Sequence, residues 1–563
     1  MKIKREQIIE NFVSDVETIL DSIVLVFDNL FKDNEVNRSN AKGIFRWLVY
    51  VSYSNIIGKL IIIYNKESIK INDDIKDFNL DKKYLSSMIS TRNFYYNSKL
   101  NNYFYTKIES IVDKQSTILN FDFDKIFNES FKYKIKKINK INYYYFRLKR
   151  KIKNIIKKII LNRQKEIIIF EDSDFLNSNK LNIINIYNKK NTNDEVDYDI
   201  RNKIKKSIFN KLKLNYLEKE FNMNQNQISI FSKLVSEIIE HSLPISLIEN
   251  LNDKLKFYKK YLNSHKIREI HSVVAHYFDD NFKVFCSIKK SEETKIIIHE
   301  HGITNFSKIY TYDQKFIFIK NYTSLKLGDY YYAWGRDKLS ERWDGVEDKY
   351  KIKIRNKGSL HLGKIKKYQN NRKDNDLKML YIGGPNKYYL NSFDEVMPFE
   401  NYLHKSKISS FFKKIIYKYD NLKIVYKNFD TSKEGYQKDL IYNLLYKEIK
   451  DRKIKLSFSK PLNIYMDFDF IFLDMISTPV AEFINTNTPF IIFANQHEFK
   501  MASQDGKKFN KELVQKNILS YDIDNTLKNF QLMLENRYHS YDNNEIFSKF
   551  QKLFCYPITN NKI

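Results

Sequence analysis

The sequence predicts an α/β protein with a helical N-terminal region, and three observations lead there. The first 243 residues contain no proline and only two glycines, whereas ten of the twelve glycines follow residue 300. Long helices tolerate such a lack of breakers, and tight strand-to-helix turns need the opposite. After Pro244, short apolar runs of strand length alternate with helical stretches, the pattern of parallel, doubly wound sheets.

The elements follow in order. Leu20, Ile23, Val24 and Phe27 recur at helical spacing, as do Phe231, Leu234, Val235 and Ile238. Trp47–Tyr64 is the most apolar window, but Ser52, Ser54, Asn55 and Lys59 interrupt it. It reads as a buried or amphipathic helix rather than a membrane span. Lys165–Phe170 opens the strand series, and an Asn-rich stretch from Asn177 to Asp199 reads as a surface loop. Lys283–Cys286, Lys295–Ile298, Phe316–Ile319 and Tyr330–Ala333 are the next strand-like runs. The polar segment Lys364–Asp376 reads as a linker. Beyond it come strands at Lys378–Ile382, Leu422–Tyr426, Phe470–Leu473 and Phe490–Phe493. Helices are expected at Ser406–Tyr419, Asp439–Lys450 and Pro479–Asn485. The expected division is 1–165 (helical, with a basic segment), 166–370 and 371–563 (one α/β domain each), within the two to three domains that 563 residues suggest.

Composition excludes several classes. With 42% hydrophobic and 15% aromatic residues the chain can build large cores, so global disorder is ruled out. Two cysteines, Cys286 and Cys555, cannot make a disulfide framework or a Cys-based zinc site, and a reducing, cytoplasmic setting is expected. The first ten residues lack the pattern of an export signal. The net charge of +29 would attract polyanions, but it comes from 82 Lys against 15 Arg. Lys, Asn, Ile and Tyr have A/T-rich codons, so genome bias accounts for part of that excess, and Arg is the better reader of phosphates and guanines. The Lys132–Lys165 segment has fourteen basic and no acidic residues around Tyr143–Phe146. It fits a solvated helix face, peripheral contact with an anionic membrane, or, least well, nucleic acid.

Four constellations carry chemistry. In the first, an apolar strand runs into His299, Glu300, His301 and Gly302. His301 at a strand's carboxyl end suits a base or a phosphate ligand. His299 and His301 would share a strand face, yet no third metal ligand stands nearby, so no metal site is expected. In the second, Asp474, Ser477, Thr478, Pro479 and Glu482 form a strand end and a capped helix start, an anion-binding geometry in which Glu482 can reach a sugar hydroxyl. The third is Asp329 with Trp334 and Gly335 flanking a strand, and the fourth is the Gly383-Gly384 turn. Read singly, each is as well explained by structure. No dinucleotide fingerprint, P-loop, nucleophile elbow or kinase motif set is present.

In order and spacing these pieces resemble the bacterial transferases of surface-carbohydrate biosynthesis, related to the GT-B glycosyltransferases and the CDP-glycerol glycerophosphotransferases. The matching residues are Asp279–Lys283 (acidic, then aromatic), Glu300-His301-Gly302, Asp329 with Trp334-Gly335, Asp474, Ser477-Thr478, Glu482 and Thr488–Phe493, with a fainter match at Arg46–Leu48. The sequence departs from the pattern at Glu300 (usually Gln), at Ile303 (usually Gly) and at Arg336 (usually aromatic). The resemblance implies a GT-B-like pair of Rossmann-like domains behind the helical region. It implies metal-independent transfer of a sugar or polyol-phosphate group, without a cofactor, from a nucleotide-activated donor to a glycan or lipid-linked acceptor at the inner membrane face. It assigns His301 and Asp280 to catalysis, and Gly302, Gly383, Gly384, Lys427, Ser477, Thr478 and Glu482 to the donor. Glu300, Asp329, Trp334 and Asp474 have supporting places. A nucleic-acid-binding protein and an inactive scaffold of the same fold are the alternatives.

Overall fold

The computed structural model describes residues 6–64, 108, 167–169, 195–262, 267–290, 294–302, 325–335, 346–363, 365, 377–384, 398–428, 431, 436–437, 439–458, 467–486, 488–496, 504–535 and 545–558. The expected Lys132–Lys165 segment, the Phe316–Ile319 strand and most of the Lys364–Asp376 linker lie outside them.

Two parallel sheets organise the described residues. The first is β1 (Ile167–Ile169), β2 (Glu269–Ser272), β3 (Lys295–His299), β4 (Tyr330–Ala333) and β5 (Lys353–Asn356), side by side in sequence order. The second contains β6 (Leu377–Ile382), β7 (Leu422–Lys427), β8 (Ile454–Leu456), β9 (Phe470–Leu473), β10 (Phe490–Phe493) and β11 (Leu519–Ser520), in the order β11-β10-β9-β6-β7-β8. Its order reverses between β6 and β9, so it is doubly wound with a switch point there. This is the two-sheet α/β plan expected from the sequence.

The first sheet shares one core with the N-terminal helices. Helices Glu6–Val26, Arg38–Tyr64 and Gln225–Ser242 pack with Ile270, Ile296, Ile298 and Tyr331. In the Arg38–Tyr64 helix even Ser52, Ser54, Asn55 and Lys59 are buried, so it is a core helix. Trp47 lies 4.4 Å from the ring of Tyr277, just before the Asp279-Asp280 pair. The opposite face of the sheet is largely polar: by register Glu269, His271, Lys295, His299, Tyr330, Tyr332, Lys353 and Arg355 share it with the buried Ile297. The second sheet is apolar on both faces. Leu380, Ile471, Leu473, Phe490 and Ile492 pack into one core, and Met379, Tyr381, Phe470, Phe472, Ile491 and Phe493 into another. Strands buried on both faces read as continuous apolar runs, as these do.

Three expectations need correction. Lys283–Cys286 is not a strand but part of the helix Asp280–Lys290. Asp279 Oδ1 accepts from the N–H groups of Asn281 and Phe282, a helix cap that outweighs a four-residue apolar run. The helix expected from Ser406 starts at Pro398. Asp439–Lys450 is two short helices, Leu440–Leu444 and Tyr446–Lys450, broken at Leu445.

The chain ends by crossing back. The helix Glu545–Phe554 packs on the second sheet's core, and the residues after it reach the first half. Tyr556 donates its N–H to Trp334 O at 2.9 Å, and Ser359 donates its N–H to Tyr556 O at 2.7 Å. Gly335 and Gly363 sit so close to Leu553 O and Ile558 O that a side-chain carbon would collide with them.

Candidate active site

The site is built at the carboxyl edge of both sheets. From the second half, β9 delivers Asp474, and the helix Thr478–Thr486 begins four residues later. Pro479 falls in the first turn, where its missing N–H costs nothing. Asp474 is buried and fully engaged. Its carboxylate accepts from the Gly384 N–H at 2.6 Å and from Tyr381 Oη at 2.6 Å, and it forms an ion pair with Lys405. Its carbonyl is 2.9 Å from His404 Nε2. Burial works against its charge, but the Lys405 ammonium and these hydrogen bonds hold the carboxyl below the usual range. Asp474 therefore fixes the Gly383-Gly384 turn and is not itself presented to a ligand. Both glycines are required by packing: a side-chain carbon would press on Tyr426 Oη at Gly383 and on Met475 and Asp474 at Gly384.

Lys427 ends β7 on the same edge. It is 5% exposed, its carbonyl accepts the Gly383 N–H at 3.0 Å, and its side chain makes no hydrogen bond among the described residues. Burial lowers its pKa, partly offset by the charge of nearby Glu482. Glu482, one turn into the Thr478 helix, is 2.8 Å from His361 Nε2 of the first half. A lysine ammonium that makes no side-chain hydrogen bond among the described residues, beside a helix N-terminus at a switch point, suits an anionic ligand.

From the first half, β3 ends at His299 and the chain turns at Gly302, whose φ is +74°. Gly302 lies against the helix start of the other half, and a side-chain carbon there would collide with Thr478 Oγ1. The loop after β3 and the loop after β9 thus meet. His301, beside Gly302, is exposed. His276 is buried and pushed down to about 3, first by burial and then by the nearby charges of Lys283 and His301.

The two histidines expected to share a strand face do not converge. The strand stops at His299, whose ring turns to His271 at 2.9 Å, and His271 in turn meets Glu269 at 3.1 Å. Burial, followed by His271, pushes His299 down to about 3. Among the described residues no group of three His, Cys, Asp or Glu is placed to hold a metal ion.

The remaining residues take supporting places. Glu300, 1% exposed, accepts the Trp334 N–H at 2.6 Å and ties the ends of β3 and β4 together. Trp334 packs into the second half's core. Asp329 lies at the opposite end of β4 from the site, where its carboxylate accepts the Ile296 N–H at 2.8 Å. Asp469 does the same before β9, accepting the Lys378 N–H at 2.7 Å, so Asp467-Phe468-Asp469 faces away from the site's edge. Asp280 is buried, bonded to Ser246 and 3.3 Å from Lys283 Nζ. Sequence reasoning missed His361, His404, Lys405 and His276. None sits in a recognisable motif, and only Lys405 and His404, paired in a helix whose start was misplaced, left a signal.

The chain belongs to the LIC12162 family of transferases. The family model matches residues 45–525, which takes in most of the Arg38–Tyr64 helix as well as both sheets. No curated protein matches the sequence. Among solved structures the chain is similar to S. aureus MnaA with UDP (12% identity, TM-score 0.34, 55% of this chain and 77% of that one). It is also similar to the pneumococcal O-GlcNAc transferase GtfA with UDP and GlcNAc (14%, 0.34, 54% and 59%) and to the Streptococcus agalactiae Gap123 complex (14%, 0.29, 54% and 57%). The chain spans less than two thirds of the last two. Among the described residues no helix is long and apolar enough to cross a membrane.

Proposed function

We propose that this transferase moves a sugar or polyol-phosphate group from a nucleotide-activated donor to a glycan precursor of the cell surface. The observation that carries the reading is the close approach of Gly302 to Thr478, which joins the two motif-bearing loops at the switch point of the second sheet. The donor's diphosphate sits at the Ser477-Thr478 helix start and on Lys427, and Glu482 takes a ribose hydroxyl. Leaving-group charge is met by helix N–H groups and the Lys427 ammonium, so the transfer proceeds without a metal. His301 accepts the proton of the acceptor hydroxyl as its oxygen bonds to the transferred group. For a sugar the bond to the diphosphate breaks and a nucleoside diphosphate leaves; for a polyol phosphate the bond within the diphosphate breaks and a nucleoside monophosphate leaves. Asp280, held by Ser246 and Lys283, shapes the acceptor side rather than exchanging protons. The acceptor is a glycan or lipid-linked glycan on the cytoplasmic face, and the positive charge favours contact with anionic lipid.

The test is a thermal-shift screen with CDP-, UDP-, GDP- and CMP-linked donors, run beside Ser477→Ala and His301→Ala. A ligand that binds only the folded state raises its stability by mass action. Stabilisation by one nucleotide class, lost in Ser477→Ala and kept in His301→Ala, is the expected result. Stabilisation by RNA alone, weakening steeply with salt, would replace this reading with nucleic-acid binding.

A further inference from the structure

We infer that His361, a first-half residue in no recognised motif, is the positioning residue for ribose recognition in the second half. The inference rests on the donor reading above. His361 Nε2 is 2.8 Å from Glu482 Oε1, and both side chains are buried. A hydrogen bond to a carboxylate at that distance fixes the carboxylate's rotation as well as adding energy. His361 itself has little freedom. It lies in the short helix Leu360–Gly363, its ring stacks on Trp334 at 6.2 Å and 26°, and its neighbour Leu362 enters the second half's core. Ser359, just before, exchanges backbone hydrogen bonds with Tyr556 and Ile558 of the crossing C-terminal segment. Gly358 (φ +77°) and Gly363 give that segment room.

The consequence is a division of labour inside one binding site. Lys427 and the Thr478 helix start belong wholly to the second half and read the diphosphate. Glu482 reads the ribose only in the orientation that His361 gives it from the other half. The site therefore discriminates ribonucleotides from deoxyribonucleotides through a contact across the two halves.

The experiment is calorimetric titration of the full chain with UDP and CDP, their 2′-deoxy and 3′-deoxy counterparts, and inorganic pyrophosphate. His361→Ala is expected to weaken the better ribonucleotide by about tenfold or more, the effect of losing a charge-assisted hydrogen bond. It should leave pyrophosphate and one of the deoxynucleotides unchanged, because those ligands never use Glu482. His361→Gln, which keeps a donor, should recover part of the loss, and it carries the test if the alanine variant fails to fold. Equal weakening of ribo- and deoxyribonucleotides by His361→Ala would overturn the inference, since a merely structural role acts on all ligands alike. So would no weakening at all, with Lys427→Met still weakening binding. If no nucleotide binds the unaltered protein, it is the donor reading that fails.

Discussion

The two halves use the same material, parallel strands with a loaded carboxyl edge, but wind it differently. The second sheet reverses its strand order between β6 and β9, the kind of switch point at which open α/β sheets bind ligands. The first runs β1 to β5 without reversal, with helices packed on one face and a largely polar face opposite. On its edge the ionisable groups are engaged: Glu300 with Trp334, Asp280 with Ser246 and Lys283, and His299 with His271. On the second edge Asp474 is as tightly held, yet the Lys427 side chain makes no hydrogen bond among the described residues. Topology thus puts the switch point in one half and brings the Gly302 loop of the other against it.

The largest effect that separates them is expected at Asp474. Asp474→Ala leaves the Lys405 ammonium buried and unpaired, at a cost of about 3–5 kcal/mol. Urea unfolding should show that loss. A loss under 1 kcal/mol would mean that the Gly383-Gly384 turn does not depend on this pair.

The cores should also differ in their response to pH. Asp15, buried in the first core and bonded to Tyr53, is raised by burial from 3.8 to about 7. As pH climbs from about 4 to 7 the unfolded chain gives up this proton while the folded chain keeps it. Stability therefore falls, by up to about 1.4 kcal/mol per pH unit, and levels off above 7. Asp474 has the opposite sign: its lowered value contributes stability at neutral pH that is lost in acid below about 4. Asp15→Asn should flatten the slope between pH 4 and 7 in urea titrations and leave the acid limb intact. An unchanged slope would place the titrating group elsewhere.

Lys427→Met comes next. Removing a charged hydrogen-bond donor of about 1.5–3 kcal/mol should weaken nucleoside diphosphates by roughly 10- to 100-fold in titration calorimetry. Because burial already disfavours this charge, the unliganded protein should be no less stable. Normal affinity would move the diphosphate off β7.

Much of this was legible before any coordinates, for physical reasons. Strands buried on both faces announce themselves as apolar runs, which is why β6, β7, β9 and β10 were placed within a residue. β2 (Glu269–Ser272) and β5 (Lys353–Asn356) carry polar side chains on their outer face and sit among charged residues, so no run marked them. The motif loops were legible because strand end, hydroxyls and proline sit together in sequence. His361 was not, because its partner Glu482 lies 121 residues away and only the crossing chain brings them together. Asp329 shows the converse error: adjacency to Trp334 in sequence placed it near the site, but a strand of four residues stands between them, roughly 13 Å of rise.

The finest comparison is between Asp329 and Asp469. Each precedes a strand and accepts a backbone N–H from the neighbouring strand's start, at 2.8 and 2.7 Å. Removing either carboxylate leaves one partly buried N–H without its partner, which costs about 1–3 kcal/mol, near the low end where water can reach. Asp329→Ala and Asp469→Ala should therefore destabilise by similar amounts and leave nucleotide affinity untouched, with or without added Mn²⁺. Both variants sit at the far edge of their sheets, so a binding change has no structural route. If Asp469→Ala alone removed a Mn²⁺-dependent gain in affinity, the Asp-x-Asp triplet Asp467-Phe468-Asp469 would hold a metal. The equivalence of the two halves at their lower edges would then fail.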